Sequence, residues 1–199
     1  DYLSVSDGRS KAIYDESGEV VIKGRYEKID FVNDTLIRVQ VKGKKGLMNR
    51  EGKWILNPVF DTIDEKDGLV LTLIKGKIGC YDPSINELIE TGYDERLTRF
   101  GENYLAKKNG KFGVINFESE PVISFNYDQI THWNDSSLLV KKGPDYSVIN
   151  RQEEPVTEPL ESLRLILKND QQSIYRFIKD GKYGLVSNQY GTLLSSEYS

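Results

Sequence analysis

Lys75-Gly76-Lys77-Ile78-Gly79-Cys80-Tyr81-Asp82 decides the fold, because the chain repeats it. It returns as Asn109-Gly110-Lys111-Phe112-Gly113-Val114-Ile115-Asn116 and as Asp180-Gly181-Lys182-Tyr183-Gly184-Leu185-Val186-Ser187. An earlier copy reads Lys42-Gly43-Lys44-Lys45-Gly46-Leu47-Met48-Asn49. Altered copies stand at Asp7-Gly8-Arg9-Ser10-Lys11-Ala12-Ile13-Tyr14 and at Lys142-Gly143-Pro144-Asp145-Tyr146-Ser147-Val148-Ile149. The leading glycines, Gly8, Gly43, Gly76, Gly110, Gly143 and Gly181, are 35, 33, 34, 33 and 38 residues apart. So regular a period marks supersecondary units, each burying an apolar face on the next.

Upstream of each copy lies an alternating segment. Leu36-Ile37-Arg38-Val39-Gln40-Val41 puts Ile37, Val39 and Val41 on one face and Arg38 and Gln40 on the other, the period of a half-buried strand. The glycine that follows is a tight turn. Asp7-Gly8, Asn109-Gly110 and Asp180-Gly181 carry the strongest hairpin signal, since a type I′ turn needs positive φ at both central residues. The next strand carries an internal glycine (Gly46, Gly79, Gly113, Gly184), which marks a bulge or a close approach of backbone. A second turn leads to a short apolar strand, as in Trp54-Ile55-Leu56 or Val122-Ile123. A fourth strand opens with an aromatic-acid pair: Tyr26-Glu27, Phe60-Asp61, Tyr93-Asp94 or Tyr127-Asp128.

The reading predicts an all-β fold of six tandem antiparallel β-meander repeats of about 34 residues, arranged as a propeller-like ring or an open curved β-solenoid. The units fall at approximately 1–34, 35–67, 68–101, 102–135, 136–171 and 172–199, within one domain spanning 1–199. The nearest approach to a helical pattern, Leu160, Leu163 and Leu167 on one face, lies in fourth-strand territory. Unit five departs most: Ser147 replaces the strand glycine, Leu160-Glu161 replaces the aromatic-acid pair, and Pro144, Pro155 and Pro159 fall within it.

Composition narrows the function. With 12 Tyr, 7 Phe and 38% apolar residues the chain can build a core. Lys and Arg number 27 against 31 Asp and Glu, a net charge of −4 without a basic run. This argues against nucleic acid and against polybasic membrane docking. No apolar run approaches the roughly 20 residues of a membrane span. Cys80 is the one cysteine and, aligned with Leu47, Val114 and Leu185, reads as a small buried hydrophobe. No phosphate loop, zinc signature, nucleophile elbow or dinucleotide fingerprint occurs, so no cofactor and no metal are expected.

The unit resembles the WG, or KWG, repeat. That family's pattern runs Gly-Lys-Trp-Gly-hydrophobic-Ile-Asp, then Gly-Lys-x-Val-Ile-Pro-Pro, then Tyr-Asp-x-Ile. Gly110-Lys111-Phe112-Gly113-Val114-Ile115-Asn116 matches the first part, and Gly52-Lys53-Trp54-Ile55-Leu56-Asn57-Pro58-Val59-Phe60-Asp61-Thr62-Ile63 the second. The Trp of the name never precedes a repeat glycine here. The resemblance implies a bacterial scaffold for interactions without common catalytic residues, many members being exported or envelope-associated.

Asp61, Asp94 and Asp128 recur once per unit, which suits a carboxylate that fixes a turn by accepting backbone hydrogen bonds. Asp61, Asp64, Glu65 and Asp67 cluster before Gly68 but lack the spacing of a calcium loop. The binding candidates are Trp54, on a third strand, and His132 and Trp133, which read as a loop after a fourth strand, where a Trp beside polar residues can stack on a sugar or anchor a protein. The function expected is therefore a non-catalytic scaffold that binds a protein partner. The alternative is a carbohydrate-binding module using exposed aromatics.

Overall fold

In the computed structural model, residues 2–8 and 10–198 are described. They form 22 strands in six antiparallel sheets, and among these residues there is no helix. The chain divides into two compact units, up to Leu97 and from Thr98 onward.

The first unit holds three sheets. Sheet one is β1 (Leu3–Ser6), β2 (Lys11–Tyr14) and β3 (Val20–Gly24). Sheet two runs β4 (Lys28–Phe31), β5 (Leu36–Val41), β6 (Lys44–Asn49) and β7 (Trp54–Phe60). Sheet three runs β8 (Thr62–Lys66), β9 (Leu69–Ile74), β10 (Lys77–Asp82) and β11 (Glu87–Tyr93). In the second unit, sheet four is β12 (Thr98–Phe100), β13 (Asn103–Lys108), β14 (Lys111–Ile115) and β15 (Pro121–Tyr127). Sheet five has three strands, β16 (Gln129–Asn134), β17 (Ser137–Lys142) and β18 (Asp145–Asn150). Sheet six is β19 (Ser162–Lys168), β20 (Ser173–Lys179), β21 (Lys182–Ser187) and β22 (Gly191–Tyr198).

The sheets are offset by one strand from the sequence units. The strand after each aromatic-acid pair pairs with the first strand of the following unit, as β4 does with β5 and β8 with β9. The hairpin that effects the second of these joins is Asp67-Gly68, with φ of 54° and 77°. It is a type I′ turn lying on the boundary drawn between units two and three. Lys42-Gly43, Lys75-Gly76, Asn109-Gly110 and Asp180-Gly181 likewise have positive φ at both positions. Asp7-Gly8 does not form such a two-residue hairpin, because β1 and β2 close at Ser6 and Lys11 with residues 7–10 between them. The segment with helical spacing, Leu163 to Leu167, is strand β19.

The strand glycines have one cause. On β6, Lys45 and Leu47 are two residues apart, while their partners Phe60 and Leu56 on β7 are four apart. The same mismatch occurs at Ile78/Cys80, Phe112/Val114 and Tyr183/Leu185. The third strand bulges over the glycine. A Cβ on Gly79 would stand 2.5 Å from the Ile89 carbonyl oxygen, and one on Gly113 2.8 Å from that of Ile123. Sheet one has Ala12 in this place, and there Lys11 and Ile13 pair with Gly24 and Ile22 without a bulge.

Side chains alternate so that sheet two contributes to two cores. Ile13 and Ile22 of sheet one meet Ile37, Val39 and Met48 of sheet two. The other face of sheet two, Leu36, Leu47, Leu56 and Phe60, meets Ile63, Val70 and Tyr81 of sheet three. In the second unit Val114, Ile123 and Tyr127 meet Ile130, Leu138, Val140 and Ile149. Burying each such side chain contributes about 1.5–3 kcal/mol, and this stacking holds short sheets that would be marginal alone. Cys80 lies fully buried at the position equivalent to Leu47.

Candidate binding surface

The recurring acids are fasteners between sheets. Asp61 lies between β7 and β8; its backbone N–H donates to the Leu73 carbonyl at 2.8 Å. Its carboxylate accepts from Lys44 Nζ of sheet two and, at 2.8 Å, from the Lys75 N–H in the hairpin of sheet three. Asp128 repeats the arrangement, accepting from Lys111 Nζ at 2.5 Å and from the Gly143 N–H at 2.7 Å. Asp94 pairs with Lys77, and Glu27 accepts from the Gly43 N–H at 3.0 Å. The bond from Lys44 holds the Asp61 carboxyl below its ordinary range, and the bond from Lys111 does so for Asp128. The acids near Gly68 have separate employments. Asp67 pairs with Arg96 at 2.7 Å, and Glu65 accepts from the Gly68 N–H at 2.9 Å. Among the described residues no group of His, Cys, Asp and Glu has an arrangement that could hold a metal ion.

A second set of side chains caps the turns after the second strands. Asn49 Oδ1 accepts from the Lys53 N–H at 2.9 Å, Asn116 Oδ1 from that of Glu120 at 2.8 Å and Asn150 Oδ1 from that of Glu154 at 2.9 Å. Each is a short polar side chain standing in for a backbone acceptor.

The three binding candidates have different fates. Trp133 is not at a loop tip. It lies within β16, on the face toward sheet six, while alternation puts His132 on the opposite face with Ile130. Trp133 is 6% exposed, its ring centroid 5.1 Å from that of Tyr175, in a core with Val148, Leu160, Phe177 and Val186. Its ring has no face open to a ligand. His132 is exposed, with its ring 5.9 Å from Phe100. The two border a small cavity of about 80 Å³, with Arg151, whose guanidinium donates to the Asp135 carbonyl at 2.9 Å. That is well under the 300–1,000 Å³ of ligand pockets.

Trp54 opens β7, half-buried, its ring over Gly46 and against the core of sheets one and two. It borders a groove of about 500 Å³ between sheets two and three. Leu56, Leu88 and Tyr81 form an apolar floor, and Asn49, Lys53, Asn86 and Glu87 the rim. Tyr81 Oη donates to Asn86 Oδ1 at 2.9 Å and orients that rim amide. Sequence reasoning singled out Trp54 and not the Leu88, Tyr81 and Asn86 that line the groove with it. They come from the neighbouring sheet, and nothing in their local pattern points toward Trp54.

Among the described residues no helix is long and apolar enough to cross a membrane. The WG containing repeat family matches this chain at residues 13–44 and 46–77. No curated protein matches the chain in sequence. Solved structures to which it is similar include Kluyveromyces lactis Hsv2 with loop 6CD replaced by a Gly-Ser linker, 13% identical with a TM-score of 0.38, covering 82% of this chain and 62% of that one. Hsv2 of Kluyveromyces marxianus is 11% identical with a TM-score of 0.36, covering 98% and 81%. PorZ, a surface component of the type-IX secretion system of Porphyromonas gingivalis, is 7% identical with a TM-score of 0.32, covering 99% and 32%. The chain spans less than two thirds of the first of these. Residues 13–44 and 46–77 are thus two tandem WG-containing repeats.

Proposed function

We propose that this repeat scaffold is non-catalytic and binds a segment of a protein partner in the Trp54 groove. The observation that carries the reading is the groove itself: about 500 Å³ with an apolar floor and a polar rim. Such a site takes an apolar anchor side chain and orients the segment around it through polar groups. A sugar-binding site is the second reading, favoured by the Trp beside two Asn side chains. The packing of the Trp54 ring over Gly46 favours the protein segment, since stacking a sugar needs an open ring face. The recurring acids support a non-catalytic role, because structural bonds already occupy them. The family resemblance adds a bacterial source and a place in the cell envelope, which fractionation of the source cells tests.

Peptide display against the parent chain, with Leu88→Asp and Trp54→Ala beside it, tests the proposal. Peptides with an apolar anchor should be enriched by the parent and lost with Leu88→Asp. No enriched peptide, together with glycan-array binding that Trp54→Ala abolishes, would replace this reading with the sugar-binding one.

A further inference from the structure

The strands of the first unit have oppositely charged ends. The β5–β6 and β9–β10 hairpins carry Lys42, Lys44, Lys75 and Lys77, and Lys23 and Arg25 lie where β3 passes to β4. The acids at this end are occupied: Asp61 and Asp94 pair with Lys44 and Lys77, and Glu27 accepts from the Gly43 N–H. The turns at the other end, from β2 to β3, β4 to β5, β6 to β7 and β8 to β9, carry Glu16, Glu19, Asp34, Glu51 and Asp67. Arg50, Lys53 and Lys66 are the cations of these turns. The two signs are interspersed along the sequence, and the up-and-down course of the strands sorts them.

The Trp54 groove opens at the acidic end: Asn49 ends β6, Trp54 begins β7 and Glu87 begins β11. Glu87 stands on its sheet-three side, and Glu51, three residues before Trp54, on its sheet-two side. A Cβ on Gly52 would stand 2.7 Å from the Val21 carbonyl oxygen, so the β6–β7 turn lies beside β3, which Glu19 precedes. Glu19, Glu51 and Glu87 are exposed, and among the described residues none of the three carboxylates has a bonding partner. Of the nearby cations, Lys53 is on the rim, and Arg50 is held on Tyr2, 4.9 Å from the ring centroid and bonded to its Oη at 2.9 Å. We infer that the segment bound in this groove is basic, with Lys or Arg flanking its apolar anchor. The inference rests on the reading of the groove as a peptide site. Unpaired carboxylates on both sides of an apolar floor leave a negative field that a basic segment neutralises. Charge complementarity of this kind sets specificity and the rate of encounter more than affinity.

Display of peptides with an apolar anchor and randomised flanks tests the inference. The parent chain should enrich Lys and Arg in the flanks. A double variant with Glu51→Lys and Glu87→Lys should bind the enriched peptides about tenfold more weakly at low salt and select Asp and Glu in their place. Lys53→Glu should bind the same peptides more tightly, a gain that a misfolded chain would not give. These differences should shrink at about 0.5 M salt, because the charges are exposed. Flanks without charge preference in the parent overturn the inference, as does a double variant that keeps the parent's preference. The peptide site itself then stands, provided Leu88→Asp still abolishes binding. A parent that enriches no peptide at all overturns both.

Discussion

Sheets two and five differ at the glycine position of the repeat and in how the unit closes after its second strand. In sheet two, Gly46 lets β7 bulge across β6 and continue as a seven-residue ladder to Phe60. In sheet five the equivalent is Ser147, and no fourth strand forms. After β18 the chain pairs with it at two isolated bridges, Tyr146 with Leu160 and Ile149 with Pro155, and the Val156 N–H donates to the Val148 carbonyl at 2.7 Å between them. Side chains reinforce this interrupted pairing. The Val148 N–H donates to Thr157 Oγ1 at 3.0 Å, and Glu153 reaches back to sheet four, accepting from the Ser124 N–H at 3.1 Å and from Tyr127 Oη at 2.8 Å. Where Leu56 sits buried in sheet two, sheet five has Thr157, the hydroxyl that accepts from Val148. The core on that side holds Trp133 instead. The bulged ladder and the braced loop are two ways of closing the same unit, one local and one dependent on neighbours.

That comparison breaks most visibly at Trp133. If its ring supplies the bulk that the missing ladder does not, Trp133→Ala should destabilise the second unit by about 4 kcal/mol, read as a lowered urea midpoint. A loss below about 1 kcal/mol would mean that the loop carries its own packing. The next effect lies in the glycine sheets. Gly79→Val forces a branched side chain against the Ile89 carbonyl and the backbone of Glu90 and Thr91, all within 2.8 Å of the first added carbon. It should cost about 3 kcal/mol. An unchanged midpoint would show that the bulge, and not the glycine, is the adjustable partner.

The Glu153 brace comes next. Glu153→Gln should cost about 1 kcal/mol at neutral pH. Burial works to raise the Glu153 carboxyl, but bonds from Ser124 and Tyr127 outweigh it and hold it below its ordinary range. A depressed carboxyl contributes stability above the ordinary glutamate range, and that contribution is lost as pH falls through the folded value. Its partner behaves in the opposite sense. Burial and the neighbouring Glu153 push the Tyr127 phenol up to about 12. The parent should therefore keep its stability up to the ordinary tyrosine value near 10 and lose it as pH rises toward 12. Tyr127→Phe should remove that part of the alkaline loss, measured as urea midpoints from neutral to alkaline pH. Identical alkaline slopes for parent and variant would detach Tyr127 from the brace.

Much of this was legible in the sequence because a repeated signal is read several times over. Glycine spacing fixed the period, and the Asn109-Gly110 and Asp180-Gly181 turns appear where their positive-φ preference places them. The once-per-unit acids are structural, as recurrence suggested. What stayed hidden involves partners far along the chain. Membership of a strand in a sheet is set by pairing, so the fourth strands were assigned to the unit that precedes them, although Asp67-Gly68 marks the hairpin that joins β8 to β9. Trp133 looked exposed because its polar neighbours suggested a loop. Gln129–Asn134 is a strand with Ile130 and Trp133 buried on opposite faces, and the ring is covered by Tyr175 and Phe177 of sheet six, far along the chain. The Trp54 groove needs Leu88 and Asn86 from another sheet, and no local pattern announces that meeting.

The smallest effect is the sharpest test of what the glycine does. Ser147→Gly restores the residue that permits a bulge but leaves Pro155 and Pro159, which cannot donate to a ladder, in the segment that would have to form it. If the glycine is needed only where a third strand crosses it, the substitution gains nothing in sheet five. It then costs about 0.5 kcal/mol through the added freedom of the unfolded chain. Amide exchange over residues 152–161 should be unchanged. A stabilised variant with newly protected amides there would reverse the causal order, making the Ser147 side chain the reason sheet five has three strands and the prolines a later accommodation to it.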